Sequence, residues 1–284
     1  MTTGQDAPDA ARRRDQTLAG LFDVGGKVVL VTGGGSGLGL AIAGVLADCG
    51  ARVVIADRDE QRLKDASAGL AGRGPAEQAL VDVSDPRAVT ELADGIVARH
   101  GRLDVAFANA GIGGGRPPGH PAGSIDRLDL DQWHTLLGVN LHGVVHTVRA
   151  AAGHMKQQRS GSIIVTASTA GLRQDPFVSY SYTVAKAGVV NLVRQAALDL
   201  ARWQVRVNAI APGPFRTNIG GGGPMPPEAV ARWNAAVPLG RMGDPAEIRG
   251  LALLLASDAS SFMTGGVYLA DGGQMLMSPP VTQS

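Results

Sequence analysis

Tyr182 and Lys186 stand four residues apart in Tyr-Thr-Val-Ala-Lys, a spacing that places both on one face of a helix. A free phenol has a pKa of about 10, too high for acid–base work near neutrality. An ammonium fixed beside it stabilises the phenolate and lowers that value. Such a phenol can exchange a proton with an alcohol or carbonyl oxygen while hydride moves to or from a nicotinamide. Ser168 closes the apolar run SIIVTAS (162–168), and its hydroxyl can hydrogen-bond the same oxygen. Asn140, in Val-Asn-Leu, can hold a water chain that carries the proton outward. Read singly, Ser168 is a strand-end hydroxyl and Asn140 a helix amide bonded to a neighbouring strand. Tyr180 is a rival phenol, but no Lys lies four residues after it.

Hydride exchange needs a carrier. Thr-Gly-Gly-Gly-Ser-Gly-Leu-Gly (32–39) follows the β-branched run KVVLVT (27–32) and opens an apolar helix. Gly33, Gly37 and Gly39 let backbone approach a pyrophosphate, while Ser36 and Leu38 lie in the turn at a helix N-terminus with free N–H groups. Leu40-Ala41 stands where a phosphate-binding loop of nucleoside triphosphatases needs Lys-Ser/Thr, which disfavours that chemistry. Asp57 ends the second strand, 18 residues after Gly39. A carboxylate there accepts hydrogen bonds from an adenine ribose diol and repels a 2′-phosphate. Arg58 is the neighbour that would welcome such a phosphate, but Ser36 adds no positive charge, so NAD is favoured over NADP. Asp82-Val83 ends the third strand and reads as the adenine border or as a helix start.

These groups need elements to hold them. Short apolar runs at 27–32, 52–57, 77–83, 103–109, 162–168, 205–212 and 267–273 alternate with helical patterns starting near 40, 59, 85, 131, 179 and 244. Continuous apolar strands mean that both sheet faces are covered, and alternation with helices means a parallel α/β sheet with right-handed crossovers. Ligands bind beyond the carboxyl ends of such strands. The polar candidates fall at those ends. Residues 1–20 read as a polar tail with Arg12, Arg13 and Arg14 in a row, and 21–284 as one domain.

Composition narrows the classes. The 284 residues carry 26 Lys and Arg against 25 Asp and Glu, a net charge of +1, which gives no global attraction to nucleic acid or anionic membrane. One Cys (Cys49) makes no intrachain disulfide and points to a reducing, cytoplasmic setting. No apolar run approaches the roughly 20 residues that span a bilayer. His142 and His146 share a helix face but have no Glu placed between them as zinc proteases do, and the chemistry calls for no metal.

Together the motifs TGGGSGLG (32–39), DV (82–83), NAG (109–111), VNL (139–141), STAG (168–171), YTVAK (182–186), RVNAIAPG (206–213) and TGGVYLADGG (264–273) resemble the short-chain dehydrogenase/reductase family from about Leu21 to Gly273. The resemblance implies a single-domain Rossmann fold with a seven-stranded, doubly wound parallel sheet. It also implies Asn140, Ser168, Tyr182 and Lys186 as catalytic tetrad, with Lys186 on the nicotinamide ribose. Pro212, Gly213, Phe215 and Thr217 match the segment beside the nicotinamide, Gly111 the turn after the fourth strand, and Asn109 a structural Asn tying central strands. A homotetramer or homodimer is implied as well. Three departures stand out. Ala108 replaces a second Asn, Ser168 and Tyr182 are one residue further apart than is common, and the loop 111–126 is unusually rich in Gly and Pro. His120 in that loop reads as an exposed side chain.

The stretch of about 214–240 resembles the family's mobile lid, with Gly220–Gly223 as hinge and Met225, Trp233 and Val237 as an apolar underside or core contacts. Leu172, Phe177 and Val178 are further pocket candidates. The expected activity is NAD-linked interconversion of a small secondary alcohol and a ketone. LFDVGGKVVLVTGG and APGPF are similar to the gluconate 5-dehydrogenase branch and to polyol and 3-oxoacyl reductases. A sugar-acid substrate would call on Arg173 and Arg216. The alternatives are an NADPH-dependent 3-oxoacyl or ketone reductase, a non-catalytic dinucleotide sensor, and an isomerase or dehydratase that retains its NAD.

Overall fold

The computed structural model describes residues 6–219, 223 and 225–277. Seven strands form one parallel sheet in the order β3-β2-β1-β4-β5-β6-β7, where β1 is Val28–Thr32, β2 Arg52–Asp57, β3 Ala76–Leu80, β4 Val105–Ala108, β5 Gly161–Thr166, β6 Val205–Pro212 and β7 Val267–Ala270. The strands alternate their side chains between two covered faces. Val28 and Leu30 of β1, with Val54 and Ala56 of β2, pack under α4 (Pro86–His100), α6 (Gly143–Gln158) and α7 (Tyr180–Leu200). Val29 and Val31, with Val53 and Ile55, pack under α2 (Gly37–Asp48), α3 (Glu60–Leu70) and α9 (Arg249–Ala256). Two cores, one on each face, are why the strands read as continuous rather than alternating apolar runs.

The order reverses between β1 and β4, and the crevice at this switch opens beyond their carboxyl ends. Buried Asp104 pins the opposite ends of these strands: its Oδ2 accepts from the Val28 N–H at 2.9 Å and its Oδ1 from Arg102 Nε at 2.8 Å. Helix entries carry the caps their sequences announce. Asp59 accepts from the Arg62 N–H at 3.0 Å, Asp85 from the Arg87 N–H at 2.8 Å, and Ser179 from the Tyr182 N–H at 3.4 Å. Such caps each contribute about 1 kcal/mol.

Four expectations are adjusted. The run 77–83 is strand only to Leu80, because Asp82 turns the chain by accepting from the Ser84 N–H and hydroxyl. The strand expected to 168 ends at Thr166, and Ser168 instead caps a 3-10 turn at Thr169–Gly171. The helix expected from about 131 is α5 (Leu130–Leu137), a π turn (Gly138–His142) and then α6. The polar segment 1–20, expected as a tail, forms helix α1 (Asp6–Leu21) over its described part, a run with four Ala and three Arg, residues that favour helix. The segment expected as a lid contains α8 (Pro227–Ala235). Of its glycine hinge, Gly220–Gly222 lie outside the described residues.

Candidate active site

One cavity of about 600 Å³ runs along the carboxyl ends of β1, β2, β4, β5 and β6. Its first end is made of backbone. Gly33 and Gly37 have φ of +65° and +53°, a left-handed conformation that side chains resist. A Cβ on Gly39 would collide with the Gly33 carbonyl and lie 2.6 Å from Asn109 Nδ2. Asn109 holds this turn: its Nδ2 donates to the carbonyls of Thr32 at 3.1 Å and Gly33 at 3.3 Å, and its Oδ1 accepts from Thr166 Oγ1 at 2.9 Å. The same amide therefore ties β1, β4 and β5 together, and its packing does not need a second Asn at Ala108.

Asp57 sits at the rim of that turn. Its Oδ2 accepts from the Gly35 N–H at 3.3 Å and its Oδ1 from the Asp59 N–H at 3.1 Å. Asp82 is on the same wall. Burial raises its carboxyl, but the two Ser84 hydrogen bonds and the charge of Arg58 together hold it below the usual range. Val83, Ser36, Leu38 and exposed Arg58 complete this end. The donors and the shape fit a dinucleotide: glycines whose added Cβ atoms would fill the turn, a helix N-terminus without a side-chain cap at Ser36, and a carboxylate beyond it.

At the far end Ser168, Tyr182 and Lys186 meet. Tyr182 lies in the first turn of α7 and Lys186 one turn on, its side chain buried. Lys186 Nζ donates to the Thr166 carbonyl at 2.7 Å and lies 5.7 Å from the centre of the Tyr182 ring. Burial pushes Lys186 down to about 8. Burial also pushes the Tyr182 phenol up, the Ser168 hydroxyl pulls it back through a hydrogen bond, and the charge of Asp175 adds to the rise. This corrects the expectation of a phenol lowered by its lysine. In the protein alone the ammonium is committed to a backbone carbonyl, and desolvation dominates at the phenol.

Asn140 is fully buried and its amide is reciprocally bonded to one residue: Oδ1 accepts from the Ile112 N–H and Nδ2 donates to the Ile112 carbonyl, both at 2.8 Å. It anchors the loop after β4 rather than presenting that amide pair to a water chain. A Cβ on Gly111 would sit 3.2 Å from Asn140 Oδ1 and 3.9 Å from Lys186 Nζ, so this loop closes directly over the tetrad. The loop is tied across the cavity mouth as well, the Gly113 N–H donating to the Ile219 carbonyl at 2.7 Å.

Pro212, Gly213, Phe215 and Thr217 all line the cavity. Phe177 and Val178 do too, with Met225 and Trp233 from the lid; the Phe177 and Trp233 rings meet edge to face at 4.9 Å. Val237 is instead buried against Gly272, and Leu172 packs on the core. Tyr180 and exposed His120 stay off the cavity wall, His120 accepting from the Ala122 N–H at 3.1 Å. Arg173 donates to the Met277 carbonyl and Arg216 pairs with Asp244 at 3.8 Å; neither lines the cavity. His146 Nδ1 is 2.9 Å from the Val83 carbonyl. Among the described residues no three His, Cys, Asp or Glu side chains gather as a metal site.

Among the wall residues outside the motifs are Gln274 and Asp175. Gln274, buried near the C-terminus, accepts from Thr169 Oγ1 at 2.9 Å; nothing in its sequence neighbourhood announces this. Asp175 was legible only as a carboxylate lying between Ser168 and Tyr182.

Comparison with known proteins agrees with this arrangement. A family model described as enoyl-(acyl carrier protein) reductase matches residues 33–275. The chain is 37% identical to meso-2,3-butanediol dehydrogenase of Serratia marcescens over 247 residues, 87% of this chain and 94% of that one. It is 39% identical to cis-4-hydroxycyclohexanecarboxylate dehydrogenase of Sinomonas cyclohexanicum over 250 residues, covering 87% and 96%. A solved short-chain type dehydrogenase/reductase from Mycobacterium marinum superposes with a TM-score of 0.82 at 36% identity, covering 90% of this chain and 98% of that one. With the sheet order, the glycine turn and the Ser–Tyr–Lys grouping already in place, these likenesses show that the chain belongs to the short-chain dehydrogenase/reductase family, whose members use nicotinamide dinucleotides.

Proposed function

We propose that the protein interconverts a neutral secondary alcohol and its ketone with NAD(H). The observation that carries this is the convergence of Ser168, Tyr182 and Lys186 on the same cavity as the Gly33–Gly39 turn and Asp57. A nicotinamide dinucleotide, when bound, accepts or supplies the hydride. The chain's own residues handle the rest. Ser168 holds the reacting oxygen, and Tyr182 removes its proton in oxidation or returns it in reduction. Lys186 keeps positive charge beside the phenolate, and Asn140 is a positioning residue that fixes Gly111 and Ile112 over the pair. The glycine turn and the α2 N-terminus would hold the pyrophosphate.

Two features support NAD over NADP. Asp57 is fixed at the rim by two backbone N–H groups, and Asp82 on the same wall is held ionised. Of the two guanidiniums there Arg62 is paired with Asp59, so a 2′-phosphate would meet two carboxylates, with Arg58 as the cation unpaired among the described residues. A neutral substrate is supported by the placement of Arg173 and Arg216 off the cavity, which removes the cations a sugar acid would need. The butanediol relative is named for a neutral secondary alcohol. The reading extends to assembly as a tetramer or dimer: Phe262, Leu198 and Leu269 stay exposed on one chain and suit burial against further copies. Light scattering after gel filtration tests that part.

The deciding assay follows NADH formation from a panel of secondary alcohols, polyols and hydroxy acids, with NADP in parallel. Turnover of neutral alcohols with NAD is expected. Tight NAD retention without net NADH, or no turnover at all, would turn the reading toward an isomerase or a dinucleotide sensor.

A further inference from the structure

The charged side chains on the cavity wall divide unevenly. Asp57, Arg58 and Asp82 gather at the ends of β2 and β3 with Arg62 from the first turn of α3, whereas Asp175 stands beyond Ser168, on the segment leading into α7. Lys186, already bonded to the Thr166 carbonyl, is the other charged group at that end. The Asp175 Oδ1 accepts from the Phe177 N–H at 2.9 Å. Its Oδ2 has no hydrogen-bond partner and its carboxylate no ion pair among the described residues. Arg173 is the cation that acts on it, but that guanidinium is held at the Met277 carbonyl and lies off the wall. The walls nearby are apolar: Phe177, Val178, Met225 and Trp233. Asp175 is also near enough for its charge to act on the Tyr182 phenol. A free carboxylate oxygen therefore lies within a small molecule's reach of the oxygen that Tyr182 and Ser168 would hold.

We propose that Asp175 is a specificity-determining residue, accepting a hydrogen bond from a second hydroxyl of the substrate, so that diols and hydroxyketones are preferred over simple alcohols. A carboxylate in an apolar pocket must keep water or find a donor when substrate enters. A mono-alcohol displaces that water and returns nothing, whereas a second hydroxyl replaces it. Sites built to bond a substrate hydroxyl discriminate sharply against analogues without it. A carboxylate on the substrate would meet like charge, so hydroxy acids are rejected at the same place. Burial raises the Asp175 carboxyl, consistent with a group that gains from a donor.

This inference rests on the oxidoreductase reading, and one experiment separates the two. With the full chain and NAD, kcat/KM is measured for 2,3-butanediol against 2-butanol, and for 1,2-cyclohexanediol against cyclohexanol. The natural protein should favour each diol by roughly 10-fold or more. In Asp175→Leu the diol-to-alcohol ratio should fall toward 1. Asp175→Asn, which keeps an acceptor oxygen, should lie between. Removal of the charge should also move the acidic limb of both pH profiles downward by relieving Tyr182, an effect common to both substrates and so distinct from the ratio. A ratio near 1 in the natural protein, or equal losses on diol and mono-alcohol in both variants, overturns the role of Asp175 and leaves the oxidoreductase reading standing. A preference for 3-amino-2-butanol over the diol overturns the neutral donor. Absence of NADH or NADPH formation from all four alcohols overturns the oxidoreductase reading and this inference with it. If Asp175→Leu does not fold, the natural ratio and Asp175→Asn decide.

Discussion

At the β1–β2 end of the cavity the wall is backbone, and at the lid end it is side chain. Around Gly33 and Gly39 nearly every position is fixed by what an added atom would strike, and one amide, Asn109, bonds three strands at once. Around Asp175, Phe177 and Trp233 the wall consists of side chains on a connecting segment and a lid, touching edge to face and leaving an acceptor open. The first arrangement suits a ligand that is always the same, since a backbone cradle has no side chain to vary. The second can be re-cut by single substitutions without disturbing the sheet. The proposed catalytic groups sit between the two, Ser168 just after β5 and Tyr182 and Lys186 on α7, so a change of substrate need not move them.

The contrast can be attacked in order of effect. Tyr182→Phe lies at the junction and removes the acid–base group; kcat should fall by about 10³-fold while the Kd for NADH, read by fluorescence, stays within about two-fold. Retained turnover would show that the phenol is not the proton carrier. Asp57→Ala should cut the preference for NAD over NADP by about 10- to 100-fold, with diol-to-alcohol ratios unchanged. A shift in substrate preference would break the separation of the two ends. Trp233→Ala should raise KM for an apolar ketone about 10-fold and leave NADH affinity alone.

The smallest effect concerns Lys186. Its folded pKa, about 8, is below the ordinary 10.5, so the unfolded chain binds more protons between those values. Stability must then rise with pH across that window. Relative to Lys186→Met, the natural protein without dinucleotide should gain thermal stability from pH 8 toward pH 10. A flat difference in melting temperature would mean that the ammonium is better solvated than its burial implies.

Legibility in the sequence follows the same division. Gly33, Gly37, Gly39 and Asp57 could be read because backbone geometry restricts which residues fit, and Tyr182 with Lys186 because one helical turn fixes their spacing. The strands at 52–57 and 205–212 were legible to the residue, since burial on both faces leaves mostly apolar runs, VVIA within the first and AIAP closing the second. Strand ends were not: the end of β3 depends on an Asp82–Ser84 turn, a contact between polar residues with many other uses. The direction of the Tyr182 shift is not legible in the sequence, because it follows first from burial of the phenol, which the spacing of two residues does not state. Gln274 escaped because its partner, Thr169, lies on another segment, and Asp175 because only the cavity's course shows that its carboxylate lies on the wall.

The π turn at Gly138–His142 has an evolutionary consequence. It accommodates one residue more than an α turn. Deleting one residue there would let the π turn relax to an α turn, so α6 would keep Val144, Val148 and Met155 on the core while the residues of the turn, Asn140 among them, shift relative to Ile112. A chain one residue shorter here could therefore keep both helices packed and lose only the placement of Asn140 against Ile112.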